Sequence, residues 1–414
     1  MTALRPAAGG VCRSCASPLG QPLLDLGPQP VAEFDDLVSD PGLTERRPLR
    51  LHCCATCGLA QLGREGPEPA SDAHGHGGAF SPTVAAHAAA RVAELIRVAG
   101  VGPGRLVVDI AAADGAGLAA CRDAGATVIG FDTDPVRVGR AVEAGLDVRA
   151  LAGPADLPAA LAGLGRRAQL VVADHALAHV DDFDGLIAGL AGVVDPDGVI
   201  AIEAHHVLGL LDDGAFDIVS HPHRTYLALG ALEHALARHG LLAVDAERSE
   251  LHGGSFSVLV RPIGAGRRAG PSVIALRELE IAAGVADPTA YRSLAERAET
   301  VRADLRLFLE GTLAEGATVA AYGASSRGLT MLGFAGITNR EIAFVGDRDP
   351  AKVGRFLAGT GIPVRAPDEI AAARPDWTLI LPWPIAPEIA QQLHSVRKWG
   401  GRFVVALPQV HEID

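Results

Sequence analysis

From His87 onward the chain alternates between two hydrophobic periods. In HAAARVAELIRVAG (87–100) apolar residues recur at helical spacing up to Gly100, which predicts an amphipathic helix closed by glycine. RLVVDIAAADG (105–115) is a buried strand running into a small-residue turn, AGLAACRDAG (116–125) a second helix, and ATVIGFDTDP (126–135) a second strand. Two strands around one helix predict a right-handed βαβ unit, a parallel sheet, and a ligand crevice at the carboxyl ends of the strands. Further strands are expected at AQLVVADHALAHV (168–180) and DGVIAIEAHHV (197–207), with the helix DFDGLIAGLAGVV between them. A helix ending near Gly240 and two strands around LHGGS follow. DPTAYRSLAERAETVRADLRLFLEGTLAEG (287–316) reads as a long connecting helix, after which strand, Gly-rich turn, helix and strand repeat through ATVAAYGASSRG and EIAFVGDRDP. The class is α/β.

Composition narrows this. With 414 residues, 49% of them hydrophobic and 4% aromatic, the chain suits a soluble protein of two or three domains. Thirty-six basic against 49 acidic residues give a net charge of −13, which disfavours nucleic acid as a partner. The start, MTALRPAAGGVCRSC, carries no apolar leader, and no run has the length of a membrane span, so a cytoplasmic protein without a membrane partner is expected. The oligomeric state is left open, a monomer included.

Four of the six cysteines form two C-x-x-C pairs, Cys12 with Cys15 and Cys54 with Cys57. In a reducing compartment such pairs predict a closed tetrahedral zinc site, because each turn aims two thiolates at one point. Reduced core thiols are the alternative. Cys53 adjoins the second pair, but the spacing favours Cys54, and Cys121 is expected in a helix core.

In the first βαβ unit Asp109 lies in the first strand, Ala111 to Gly115 form the turn, and Asp132 ends the second strand. A carboxylate there can accept both hydroxyls of a ribose, and a turn without G-x-G-x-x-G favours a nucleoside lacking phosphates, such as S-adenosylmethionine (SAM). The ends of the next two strands bring Asp174, His175, His179, Glu203, His205 and His206 toward the same crevice. No set of these has a known ligand spacing, so neutral histidines suited to accepting a proton are the better reading. SHPHRTY (220–226) contributes His221 and His223, which otherwise read as a polar loop turning at Pro222.

The order C-x-x-C, C-x-x-C-G-L-x-Q-L, VVDIAAADG, ALAHVDD, HPHRTY, HGGSFSV, AAYGASSRG and PDWTLILPWP resembles the sugar C-methyltransferases that act on nucleotide-activated 4-keto-6-deoxysugars in antibiotic pathways, over about residues 10 to 410. The resemblance implies a zinc-binding N-terminal module (1–70), a central Rossmann-like SAM methyltransferase domain (71–285), and a linking helix with a second Rossmann-like domain (286–414) that closes over the nucleotide sugar. It implies His223 as the base that removes the proton next to the ketone, with His221, His179, Arg224 or Tyr226 facing the enolate oxygen. Ser220 and Pro222 stand where the family has tyrosine and glutamate, and AHGHGGAFSP (73–82) lacks a further family tyrosine, leaving His76 or His74 in its place. SAM is expected to meet Asp109, Ala111, Asp114, Gly115, Asp132, Asp174 and His175. Substrate is expected to meet His76, Arg224, His252, Gly253 and Ser255. Gly323, Ser325, Ser326 and Arg327 are expected to hold its phosphates at a helix N-terminus, and Asp347, which ends the next strand, is a further expected substrate contact. A second reading keeps the fold and the SAM pocket but assigns the histidines to isomerisation or elimination on a sugar-nucleotide-like substrate.

Overall fold

The computed structural model describes residues 10–31, 37–42, 45–64, 81–264 and 266–414. His74 and His76, and the expected boundary at residue 70, lie outside them.

Three sections of sheet share the chain. In the N-terminal section β1 (Leu24–Pro30), β3 (Arg46–Cys53) and β4 (Ala60–Leu62) pair antiparallel, while β2 (Leu37–Val38) stands apart. The central sheet is built from β5 (Leu106–Asp109), β6 (Thr127–Asp132), β7 (Val148–Ala150), β8 (Ala168–Asp174), β9 (Val194–His205), β11 (Leu241–Ser249) and β12 (Ser255–Pro262). Its order is β11-β12-β9-β8-β5-β6-β7, parallel from β9 to β7 and antiparallel at the other edge. Strands buried on both faces explain the unbroken apolar runs: Val107, Val108, Leu170, Val171 and Ile200 have no exposed surface. Burial of that completeness contributes roughly 1.5–3 kcal/mol per large aliphatic side chain.

The C-terminal sheet runs β16-β14-β13-β17-β18-β19, from β13 (Val319–Tyr322), β14 (Val345–Gly346), β16 (Val364–Arg365), β17 (Trp377–Ile380), β18 (Arg402–Val405) and β19 (His411–Ile413). Only β19 runs antiparallel to its neighbour. Between the two large sheets lie not one helix but two, Pro271–Ala283 and Arg292–Ala314. The first escapes the sequence reading because its buried face is narrow, Val273, Leu276 and Glu280, while Ile274 and Ile281 point outward.

These sections interlock. A two-residue strand from the central section, β10 (Thr225–Tyr226), completes the N-terminal sheet against Gln61 and Ala60. β2 pairs with β15 (Phe356–Leu357) of the C-terminal section. The loop SHPHRTY therefore ends as a strand of the cysteine-bearing sheet, which fixes its position from outside the central domain.

Candidate active site and metal centre

The crevice lies at the carboxyl ends of β5, β6 and β8 and beside β9. The turn after β5 is closed by two carboxylates. Asp109 Oδ1 accepts the Ala111 N–H at 3.0 Å, and Asp132 Oδ2 accepts the Ala113 N–H at 2.9 Å while its Oδ1 takes that of Asp134 at 2.8 Å. Ala113 is left-handed at φ 49°, and Gly115 at φ 82° has no room for a side chain, since a Cβ would lie 2.4 Å from Leu146 Cδ1. Asp114 is exposed and only helps to start the helix Ala116–Asp123. Burial pushes the Asp109 carboxyl up to about 7, with Asp174 and Asp132 adding to the rise. Each oxygen of Asp132 keeps a lone pair beyond its backbone bond, so the group can accept ribose hydroxyls and the turn fits an adenosyl ligand. Replacing Asp132 by alanine should weaken SAM binding tenfold or more by calorimetry, because charge-assisted hydrogen bonds contribute about 1.5–3 kcal/mol each.

Asp174 does not face the crevice alone. Arg91 clasps it with both arms, Nε to Oδ2 at 2.8 Å and Nη2 to Oδ1 at 2.7 Å. The same guanidinium reaches Ser257 Oγ at 2.8 Å and lies 3.2 Å from Glu203. Glu203 is a buried hub, 3.0 Å from His87 Nε2, 3.4 Å from His175 Nε2, and bonded by the Ser257 hydroxyl at 3.2 Å. Burial alone would raise its pKa. The hydrogen bond of His175 and the charges around it outweigh burial and hold the carboxyl well below the ordinary range. His87 and Arg91 were missed by the sequence reading, although they sit four residues apart in an Ala-rich helix, Pro82–Ala99, a spacing that puts both on one face.

Five imidazoles follow one another across the crevice. Ring centroids are 5.3 Å apart between His252 and His175, 5.2 Å between His175 and His205, 5.2 Å between His205 and His223, and 5.0 Å between His223 and His179. His223 Nδ1 lies 3.2 Å from the Ile218 carbonyl. A carbonyl only accepts, so Nδ1 carries the proton and Nε2 keeps its lone pair. Burial lowers His223 to about 4, and burial likewise holds His205 well below the ordinary imidazole value. His179 likewise commits Nδ1–H, to the Pro222 carbonyl at 3.1 Å, whereas His205 Nδ1 has no hydrogen-bond partner among the described residues.

The other expected residues are spent elsewhere. His221 turns toward Gln29, Glu45 and Arg47 of the N-terminal section, away from the imidazole row. The Tyr226 hydroxyl accepts the Ser220 N–H at 3.2 Å and donates to Ile218 O at 3.4 Å; its complete burial raises its pKa. It braces the loop. Arg224 pairs with Asp181 at 2.8 Å, as does Arg13 at 2.9 Å, so both arginines dock the N-terminal section onto the central one. Ser255 is fully buried with its hydroxyl on Leu251 O at 3.1 Å. His206, expected beside His205, faces the opposite side: it stacks on Phe256 and meets Glu280 at 2.8 Å. Adjacent strand residues point to opposite faces, which is the reason.

In the C-terminal section Asp347 repeats the role of Asp132, accepting Ala324 N–H at 2.7 Å and Asp349 N–H at 2.8 Å. Ser325 caps the helix Ser326–Ala335 by accepting Gly328 N–H, and Gly323 at φ 88° packs against Pro382. Arg327 leaves this helix start and pairs with Asp217 of the central section, 2.7 and 2.8 Å.

The thiols of Cys12, Cys15, Cys54 and Cys57 converge with all four sulfurs within 4.8 Å of one another. Sγ–Sγ distances of 3.6 Å (Cys12–Cys57) and 3.5 Å (Cys15–Cys54) approach the roughly 3.8 Å that a tetrahedral zinc with bonds of about 2.3 Å requires. Gln61 Nε2 and the Ser14 N–H point at Cys12 Sγ, at 3.1 and 3.4 Å, as donors supporting a thiolate do. Cys53 faces away, toward Gly58 O, with its thiol pushed up to about 11 by burial. Cys121 is in the core.

Residues 12–69 match a zinc binding domain, 84–246 a methyltransferase domain, and 250–408 the family described as C-methyltransferase C-terminal domain. Over 315 residues the chain is 33% identical to C-methyltransferase NovU of Streptomyces niveus, covering 76% of this chain and 75% of that protein. The chain belongs to the C-methyltransferase family. It is a SAM-dependent C-methyltransferase with a four-cysteine zinc module. Among solved structures, magnesium protoporphyrin IX methyltransferase ChlM from Synechocystis PCC 6803 with bound SAM is 19% identical, with a TM-score of 0.32 over 42% of this chain and 78% of that one. The [4+2]-cyclase SpnF is 14% identical, with a TM-score of 0.33 over 42% and 81%. Among the described residues no helix of this methyltransferase is long and apolar enough to cross a membrane.

Proposed function

We propose that this methyltransferase acts on a nucleotide-activated keto-deoxysugar, with His223 as the base that removes the proton beside the ketone. The observation that carries the reading is the committed tautomer of His223, Nδ1–H on the Ile218 carbonyl, which leaves Nε2 as a neutral proton acceptor in the row of imidazoles. The motif resemblance supplies the substrate class. Bound SAM supplies the electrophilic methyl group. Nε2 would take the proton, the C–H electron pair would enter the enolate, and the same carbon would form its bond to the methyl group as the S–CH3 bond breaks, its electron pair remaining on sulfur in the departing S-adenosylhomocysteine.

A buried imidazole near 4 is a weak base, so the enolate oxygen has to be met by a donor as it forms. His205, the neighbouring ring whose Nδ1 has no partner among the described residues, is the group for this role. His179 and Tyr226 have already committed their protons to carbonyls.

The low value also fixes a sign. His223 binds a proton less readily folded than unfolded, so its contribution to stability is complete above about pH 6.5 and is lost as pH falls toward 4. Urea unfolding at pH 7 and pH 5 should show a smaller pH-dependent loss in His223→Gln than in wild type; equal losses would contradict the shift.

The test of function is mass spectrometry after incubation with SAM and a thymidine-diphospho 4-keto-6-deoxysugar in deuterated water. S-adenosylhomocysteine with a methylated sugar is expected. A zinc-replete enzyme that leaves both compounds unchanged would overturn the substrate assignment.

A further inference from the structure

We propose that Arg327 is a positioning residue through which the C-terminal section aligns two members of the imidazole row, His252 at one end and His223 next to the other. The inference rests on the reading of His223 as the base.

Arg327 crosses from the first turn of the helix Ser326–Ala335 into the central section and divides its donors between two segments. Its Nε and Nη2 form the paired contacts with Asp217, and its Nη1 donates to the His252 carbonyl at 2.6 Å. Asp217 is 1% exposed and is also held by the indole N–H of Trp383 at 2.9 Å, while the guanidinium lies over that indole at 4.9 Å. Only the planar fork of an arginine can make a two-point carboxylate pair and a third bond to a carbonyl at once.

Each segment leads to a histidine. Asp217 precedes Ile218, whose carbonyl fixes the His223 tautomer. Three residues after Arg327 on the same helix, the Thr330 hydroxyl donates to Val219 O at 3.0 Å, so this helix holds the chain on both sides of Ile218. On the other segment His252 is left-handed at φ 56°, followed by Gly253 at 76° and Gly254 at 104°. A histidine in that region costs about 1 kcal/mol and persists only where neighbours hold it. Here the neighbours are Arg327 and Gly209. A Cβ on Gly253 would come within 2.6 Å of Arg327 Nη1, and one on Gly254 within 2.8 Å of Gly209 Cα. The turn so enclosed sets the His252 ring edge-on to His175.

The consequence separates Arg327 from the phosphate-binding role that its place at a helix start suggests. Its three polar contacts belong to the protein, and its charge is matched by a buried carboxylate. Docking of the C-terminal section and assembly of the imidazole row become one event.

The experiment compares wild type with Arg327→Lys, Arg327→Met and Trp383→Phe, all zinc-replete. Long-range nitrogen correlation spectra of 15N-histidine protein, loaded with S-adenosylhomocysteine, read ring tautomers without any sugar substrate. Positioning predicts altered His223 and His252 signals in both Arg327 variants, with the exposed His234 unchanged, and a smaller change of the same kind in Trp383→Phe. Turnover should show kcat lowered tenfold or more with substrate KM and thymidine diphosphate affinity within threefold. Unchanged histidine spectra together with a tenfold loss of thymidine diphosphate affinity would overturn the proposal in favour of a phosphate ligand. If Arg327→Met does not fold, Arg327→Lys and Trp383→Phe decide, and unaltered histidine spectra in both overturn it. Should wild type not turn over the sugar nucleotide, the substrate reading fails while the spectra still decide the positioning role.

Discussion

His223→Ala is expected to lower single-turnover methyl transfer by two to four orders of magnitude, the range that a positioned proton acceptor contributes, while SAM binding stays within about twofold. The separation follows from place. His223 sits on a loop held by Ile218 O and by β10, whereas the turn proposed to receive SAM is built by Asp109, Asp132 and Gly115 on β5, β6 and the connection between them. Two neighbours serve as controls. His221→Ala leaves the imidazole row intact because His221 faces the N-terminal section, so its effect belongs in stability. Tyr226→Phe removes one hydroxyl that bridges Ser220 and Ile218, with an expected cost of about 1–3 kcal/mol in unfolding and a smaller loss of rate than His223→Ala. Rapid quench of [methyl-14C]SAM turnover, with calorimetric binding of S-adenosylhomocysteine, measures both quantities. Wild-type transfer in His223→Ala would discard the base assignment.

Loss of the metal should have the larger effect on the molecule. Structural zinc in small modules carries an apparent binding energy of about 10–16 kcal/mol at neutral pH, and that energy is folding energy. Cys54→Ser, or stripping by an organomercurial with a zinc indicator present, should release one zinc per chain and abolish methyl transfer. The route is structural. The two cysteine turns hold β3 and β4 in register, β4 carries β10, and Arg13 joins Arg224 on Asp181. Unfolding that sheet releases residues 218–226 and with them His223. S-adenosylhomocysteine affinity should fall far less, because the turn proposed to bind it lies wholly in the central sheet. A metal content well below one per chain in active protein would defeat the four-thiolate reading.

Much of this was legible along the chain. Each C-x-x-C pair is a local turn, so its two thiols converge whatever the rest of the chain does, and Cys54 rather than Cys53 follows from the spacing. The βαβ alternation, the carboxylate ending β6, and its counterpart Asp347 after β14 are likewise set by neighbours within one structural unit, where period and turn chemistry decide the backbone. The helix Pro271–Ala283 was not legible, because a narrow buried face beside outward isoleucines has a weak period.

The sequence by itself determined the kinds of units: a cysteine module, two α/β sections and a histidine-rich stretch between them. Only the tertiary structure decided which polar residues meet. It directed His205 into the crevice and His206 onto buried Glu280, whose carboxylate also accepts the N–H groups of Leu229 and Gly230. It gave Asp174 to Arg91, Asp181 to Arg13 and Arg224, and Asp217 to Arg327. A buried charge must find a partner, but nothing in local spacing says which distant segment will bring it. That choice belongs to the packing of the sheets, which placed Arg327 against the turn of His252 and the cysteine module against the loop of His223.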